Sequence, residues 1–67
     1  MRLIRIGQAA RMLGVDPATL RRHIKGDYAT IFGLRLRAYP MDITPGAERR
    51  FDEDEIRRVL TELRDAQ

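Results

Sequence analysis

Few side chains in this sequence are equipped for chemistry, and one type dominates them. Thirteen of the 67 residues are basic and twelve of those are arginine, Lys25 being the exception. They gather at Arg21, Arg22 and Lys25, at Arg35 and Arg37, and at Arg49 and Arg50. A guanidinium offers a rigid fork of donors that fits a phosphate or a guanine edge with two bonds, whereas an ammonium acts as a point charge. A genome rich in arginine codons would give the same ratio, so placement has to carry the argument. The acidic counterpart is the run Asp52-Glu53-Asp54-Glu55. Clustered carboxylates suit acid–base or metal chemistry, but three of these fall within one helical turn as capping groups. No paired base, nucleophile or completing ligand set accompanies them. There is no cysteine, which excludes disulfides, thiolate ligands and a thiol nucleophile. His23, the single histidine, cannot make a zinc site alone. The expectation is a protein that is not an enzyme, with no metal and no cofactor.

Those residues must be held by one small domain spanning 1–67. A chain of this size buries only about 60% of its unfolded surface, yet 43% apolar residues suffice for a thin core. The net charge of +3 hides an asymmetry. Residues 1–50 carry ten basic and four acidic side chains, whereas residues 51–67 carry three and six. The basic part is expected to face a polyanion. No apolar run approaches the roughly 20 residues of a membrane helix, and Arg5 interrupts the apolar start as a signal peptide would not allow. The expected setting is soluble and intracellular, with no membrane partner.

Periodicity supplies the elements. Ile6, Ala9, Ala10 and Leu13 form one helical stripe, so a helix is expected over about Gly7 to Leu13, ending at Gly14. Asp16 as N-cap and Pro17 at the first helical position open a second helix, expected to run to Lys25 and stop at Gly26. Leu34-Arg35-Leu36-Arg37-Ala38-Tyr39 alternates as a half-buried strand with its arginines on the solvent face. Thr44-Pro45-Gly46 marks a turn, and a return strand over about Ala47 to Phe51 would complete a hairpin. Asp52 then caps a last helix whose stripe is Ile56, Val59, Leu60 and Leu63, with Glu53–Arg57 and Asp54–Arg58 as pairs on a solvated face.

Two short helices joined by Gly14-Val15-Asp16 outline a helix-turn-helix. With Leu20 and Ile24 turned to the core, Ala18, Arg21, Arg22 and Lys25 share the opposite face, and Ala18 and Thr19 leave room near the helix start for close approach to bases. The plain alternative is a solvated helix with ordinary surface charge.

The stretch from Ile6 to His23, with Gly14-Val15-Asp16-Pro17 at its centre, resembles the winged-helix domain of the MerR-like and excisionase-like DNA-binding proteins. Thr44 to Phe51, followed by Asp52 and the Glu55-Ile56 helix, resembles that family's wing and next helix. The resemblance implies a fold that is mainly α with a small β-hairpin: helix, turn, helix, two-stranded wing, helix. It implies that the second helix enters the major groove of double-stranded DNA and the wing reaches backbone or minor groove. Thr19, Arg21 and Arg22 correspond to residues that touch bases or phosphates, His23 stands where an aromatic residue nears the backbone, and Arg49 and Arg50 match the basic pair closing the wing, anchored by Phe51. Arg35 and Arg37 could face DNA or solvent.

The connection from Asp27 to Tyr39 is longer and more apolar than the family's link. Ile31 and Phe32 there would either fill extra core or meet a second protomer. With only a few residues beyond Leu63, the long dimerising helix and effector domain of full-length MerR regulators are expected to be absent. The expected function is a small, sequence-specific transcriptional regulator in the cytoplasm at the nucleoid, acting as a homo-oligomer or as neighbouring copies on DNA. The alternatives are an excisionase-like factor working with a recombinase, and a protein-interaction module without DNA binding.

Overall fold

The computed structural model describes residues 1–66. The chain opens with a strand, β1 (Leu3–Arg5), that passes directly into α1 (Ile6–Leu13). Gly14 ends α1 in the left-handed conformation, φ 75°, which a side chain would resist. The Asp16 carboxylate accepts the Ala18 N–H at 2.8 Å and Pro17 starts α2 (Pro17–Arg22). The end of α1, the turn and the start of α2 follow the local signals.

Helix α2 then stops at Arg22, with His23 as its C-cap, well before the expected Lys25. Ile24 and Lys25 instead form β2 (Ile24–Lys25), which folds back on β3 (Tyr28–Ile31) through the two-residue turn Gly26-Asp27. Gly26 at φ 63° in the first turn position suits a type II′ hairpin. A second two-residue turn, Phe32-Gly33, leads to β4 (Leu34–Arg37). After Ala38 come β5 (Tyr39–Pro40), the loop to Glu48, β6 (Arg49–Asp52) and α3 (Glu53–Asp65).

The expected mainly helical, winged helix-turn-helix architecture is therefore corrected. The described residues are 41% helical and 29% strand, in two three-stranded antiparallel sheets ordered β1-β6-β5 and β2-β3-β4. This is not a helix-turn-helix arrangement. Residues expected to lengthen the second helix are spent on a sheet, and α2 is left with six residues. The expected wing is likewise divided. Leu34–Arg37 pairs with Tyr28–Ile31, and only Tyr39 and Pro40 pair with Arg50 and Arg49. Sheet geometry explains the division, because Ala29, Ile31 and Leu36 together bury one face of β3 and β4.

One core holds both sheets and all three helices. Phe51, Leu20, Leu36 and Ile56 are its largest fully buried side chains, joined by Ile4, Ala9, Ala10, Leu13, Ala29, Ile31 and Ala38. Phe51 sits on the central strand of its sheet, so truncating it to alanine should cost about 3–5 kcal/mol. Ile31 belongs to this core and Phe32 does not, being 58% exposed.

Carboxylates lock the elements together. Asp52 caps α3 by accepting the Asp54 N–H at 3.0 Å and also accepts the Arg2 N–H at 3.2 Å. Glu53 is buried, 2.6 Å from Arg57 as expected, and also 3.5 Å from Arg2. Asp54 meets the N-terminal ammonium at 3.9 Å rather than Arg58. Glu55 accepts the Arg37 backbone N–H at 3.1 Å, which ties α3 to β4.

Candidate functional site

The register of β2-β3-β4 sorts its side chains onto two faces. Ile24, Ala29 and Leu36 share one rung and turn to the core; Lys25, Tyr28 and Arg37 share the next and lie on the outer face, as does the Thr30–Arg35 pair. On that outer face the Arg35 guanidinium lies 3.9 Å from the centre of the Tyr28 ring. Arg37 lies 5.5 Å from Tyr28 and 5.4 Å from Tyr39. These are cation–π distances. Arg37 is the more enclosed of the two arginines, and its Nε is buried without a hydrogen-bond partner.

The end of α2 extends this face. Arg22 and His23 join Lys25, Tyr28, Thr30 and Arg35 around an open groove of about 600 Å³. Arg22 is steadied by donating from Nη2 to the Thr19 hydroxyl at 3.2 Å. The His23 Nδ1 lies 2.7 Å from the Thr19 carbonyl oxygen. A carbonyl only accepts, so the proton sits on Nδ1 and the Nε2 atom is left to face solvent or a ligand.

Ion pairing separates the basic residues into two sets. Among the described residues, Arg2, Arg5, Arg49, Arg50, Arg57 and Arg64 each have a carboxylate within 4 Å. Arg11, Arg21, Arg22, Lys25, Arg35, Arg37 and Arg58 are not among them. The groove lining contains three cations and no carboxylate.

The sequence-derived candidates thus fall in three places. Arg22, His23, Lys25 and Arg35 come together in the groove, with Thr19 behind Arg22 and Arg37 beside Tyr28. Ala18 is exposed at the start of α2, and Arg21 lines a second groove of about 500 Å³ that it shares with Ile6, Ile24, Glu48 and the candidate Arg49. Arg49 and Arg50 do not line the first groove and are engaged. Arg49 donates to Asp27 at 3.3 Å and to the Ala38 carbonyl at 3.2 Å; Arg50 donates twice to Glu48, at 3.0 and 3.2 Å. Tyr28 and Thr30 were not singled out in the sequence. The signal that points to them is Gly26-Asp27, a two-residue hairpin turn that puts Tyr28 at the start of a strand.

Among the described residues no group of three or more His, Asp and Glu is placed to hold a metal ion. No helix among them is long and apolar enough to cross a membrane. No family model, curated protein or solved structure matches the chain.

Proposed function

We propose that this chain is a double-stranded DNA-binding domain that sets the outer face of β2-β3-β4 and the end of α2 against the phosphate backbone. The observation that carries the reading is the set Arg22, Lys25 and Arg35, which converges on one groove without a carboxylate beside it. Surface cations with no partner raise local potential and draw a polyanion, whereas the neutralised arginines elsewhere have a structural use. Arg35 is also held in place by the Tyr28 ring, so it reaches a phosphate without first being ordered. Thr30 and the His23 Nε2 add polar groups suited to phosphate or base-edge hydrogen bonds.

The resemblance over Ile6 to His23 supports duplex DNA as the polyanion and control of transcription at the nucleoid as the role. Neighbouring copies on DNA would lengthen the site that is read.

Binding of a labelled duplex, measured by anisotropy at several salt concentrations, tests this. Three phosphates neutralised by Arg22, Lys25 and Arg35 give a slope of log affinity against log salt of about −3. Selection from a random duplex library should return a preferred sequence. Absence of any duplex binding at low salt would overturn the reading, and equal affinity for random and selected duplexes would remove sequence specificity from it.

A further inference from the structure

We infer that Phe32 is a wedge that enters a base step of the bound duplex and bends it, an inference that rests on the DNA-binding reading above. Phe32 occupies the tip of the β3–β4 hairpin with φ 54°, the one non-glycine residue with positive φ among those described. It is also 58% exposed. Both features burden the free protein: a bulky side chain resists the left-handed region, where asparagine or glycine would sit easily, and the ring stays in water. The core does not ask for it, because Ile31 beside it already fills the buried position. A residue that strains the turn and stands outside the buried core points to a use beyond the fold.

The surroundings point to what it meets. Thr30 and Arg35 pair across the same hairpin, two residues short of the tip. The tip therefore lies about 7 Å along the strand from Arg35, so a duplex whose phosphate is held by Arg35 has the ring within reach of the neighbouring groove. The hairpin is stiff enough to deliver the ring. Four residue pairs in register close on a two-residue turn, and its inner face is buried in the core. Apolar side chains delivered in this way part stacked bases and kink the helix, and the added contact offsets the unstacking. A second copy of the chain is the poorer occupant. One ring beside Gly33 and the half-buried Leu34 offers far less than the roughly 1,200 Å² of total area that a specific protein interface buries, and its neighbours on the sheet are cations.

The test uses a duplex carrying 2-aminopurine near its centre and a dye pair at its ends, with wild type, Phe32→Asn and Phe32→Leu. Asparagine suits the turn, so that variant keeps the fold, and leucine keeps an apolar wedge. Wild type should raise 2-aminopurine fluorescence and shorten the end-to-end distance. The Asn variant should lose both signals and about tenfold in affinity while keeping the salt slope, and the Leu variant should keep both signals in part. Wild-type binding with neither signal, or an Asn variant that keeps them, overturns the wedge and leaves the DNA reading standing. Failure of wild type to bind any duplex overturns both. Self-association in sedimentation that the Asn variant abolishes would assign the tip to a second copy instead, and so overturn the wedge.

Discussion

Arg49 on β6 donates to the Asp27 carboxylate at 3.3 Å, across from one sheet to the turn of the other. The same guanidinium donates to the Ala38 carbonyl at 3.2 Å, and Ala38 in turn donates its N–H to the Asp27 carbonyl at 2.7 Å. This small circuit joins β2-β3-β4 to β1-β6-β5 where no strand pairing does so. Arg49→Ala should therefore destabilise by about 1–2 kcal/mol, with the Ala38 carbonyl left short of a partner. In a domain of this size that lowers Tm by roughly 5–15 °C. The slope of duplex affinity against salt should stay as in wild type. Arg35→Ala should do the reverse, leaving Tm within a few degrees and reducing the magnitude of the slope by about 1.

The turn at Phe32 makes the opposite kind of prediction. A left-handed residue with a bulky side chain is held about 1–2 kcal/mol above its relaxed state. Phe32→Asn places the favoured Asn-Gly pair in a turn whose two central residues both have positive φ, 54° and 75°. Urea unfolding should show a gain of about 1 kcal/mol with the same m-value. A loss of stability would mean that the ring packs somewhere its exposure does not reveal.

What was legible from the sequence is what short-range chemistry decides. Asp16-Pro17, Gly14 and Asp52 act on their own neighbours, so the starts of α2 and α3 and the end of α1 lie where those residues put them. Strand partners are decided far along the chain. Leu3, Ile4 and Arg5 pair with Asp52, Phe51 and Arg50, a choice that no local pattern records. The alternation of Leu34 to Tyr39 marked extended chain, but it read as one strand what the fold splits into β4 and β5 of different sheets, and it could not say that β4 pairs with Tyr28–Ile31, in which Ala29 and Thr30 are too small and mixed to give a strong period. The groove inherits the same division. Arg22 and Lys25 stood out by charge, while Tyr28 and Thr30 join them only through the Gly26-Asp27 hairpin, and Arg49 and Arg50 stood out equally although both are engaged by carboxylates.

Glu55 offers a check on how α3 is fastened. Its carboxylate takes the Arg37 backbone N–H at 3.1 Å, a part-buried donor on the edge strand of its sheet. Glu55→Ala should cost about 1–2 kcal/mol, because the N–H loses its acceptor. Amide hydrogen exchange should show faster exchange at Arg37, while Ala29 and Ile31, inside the sheet, change little. Equal protection at Arg37 in both proteins would mean that the bond does not hold in solution.

Asp52 connects stability to pH. Partial burial pushes its carboxyl up, but the N–H groups of Arg2 and Asp54, the N-terminal ammonium and the N–H of Glu55 together outweigh this and hold it below the ordinary value of 3.8. A carboxyl lowered by folding stabilises the native state fully above its unfolded pKa, and that stability is lost as pH falls through the folded value. Unfolding free energy should therefore be flat in this respect from neutral pH down to about pH 5, then fall as pH passes below 3.8. Asp52→Asn keeps a capping oxygen and removes the titration, so its stability should fall less steeply in that acid range. Asp52→Ala also loses the cap of α3 and the tie to Arg2, and should be weaker by about 1–2 kcal/mol at neutral pH. Urea titrations of the three proteins at pH 7 and pH 3 give the answer, and an Asn variant as acid-sensitive as wild type would mean that Asp52 does not carry the acid weakness.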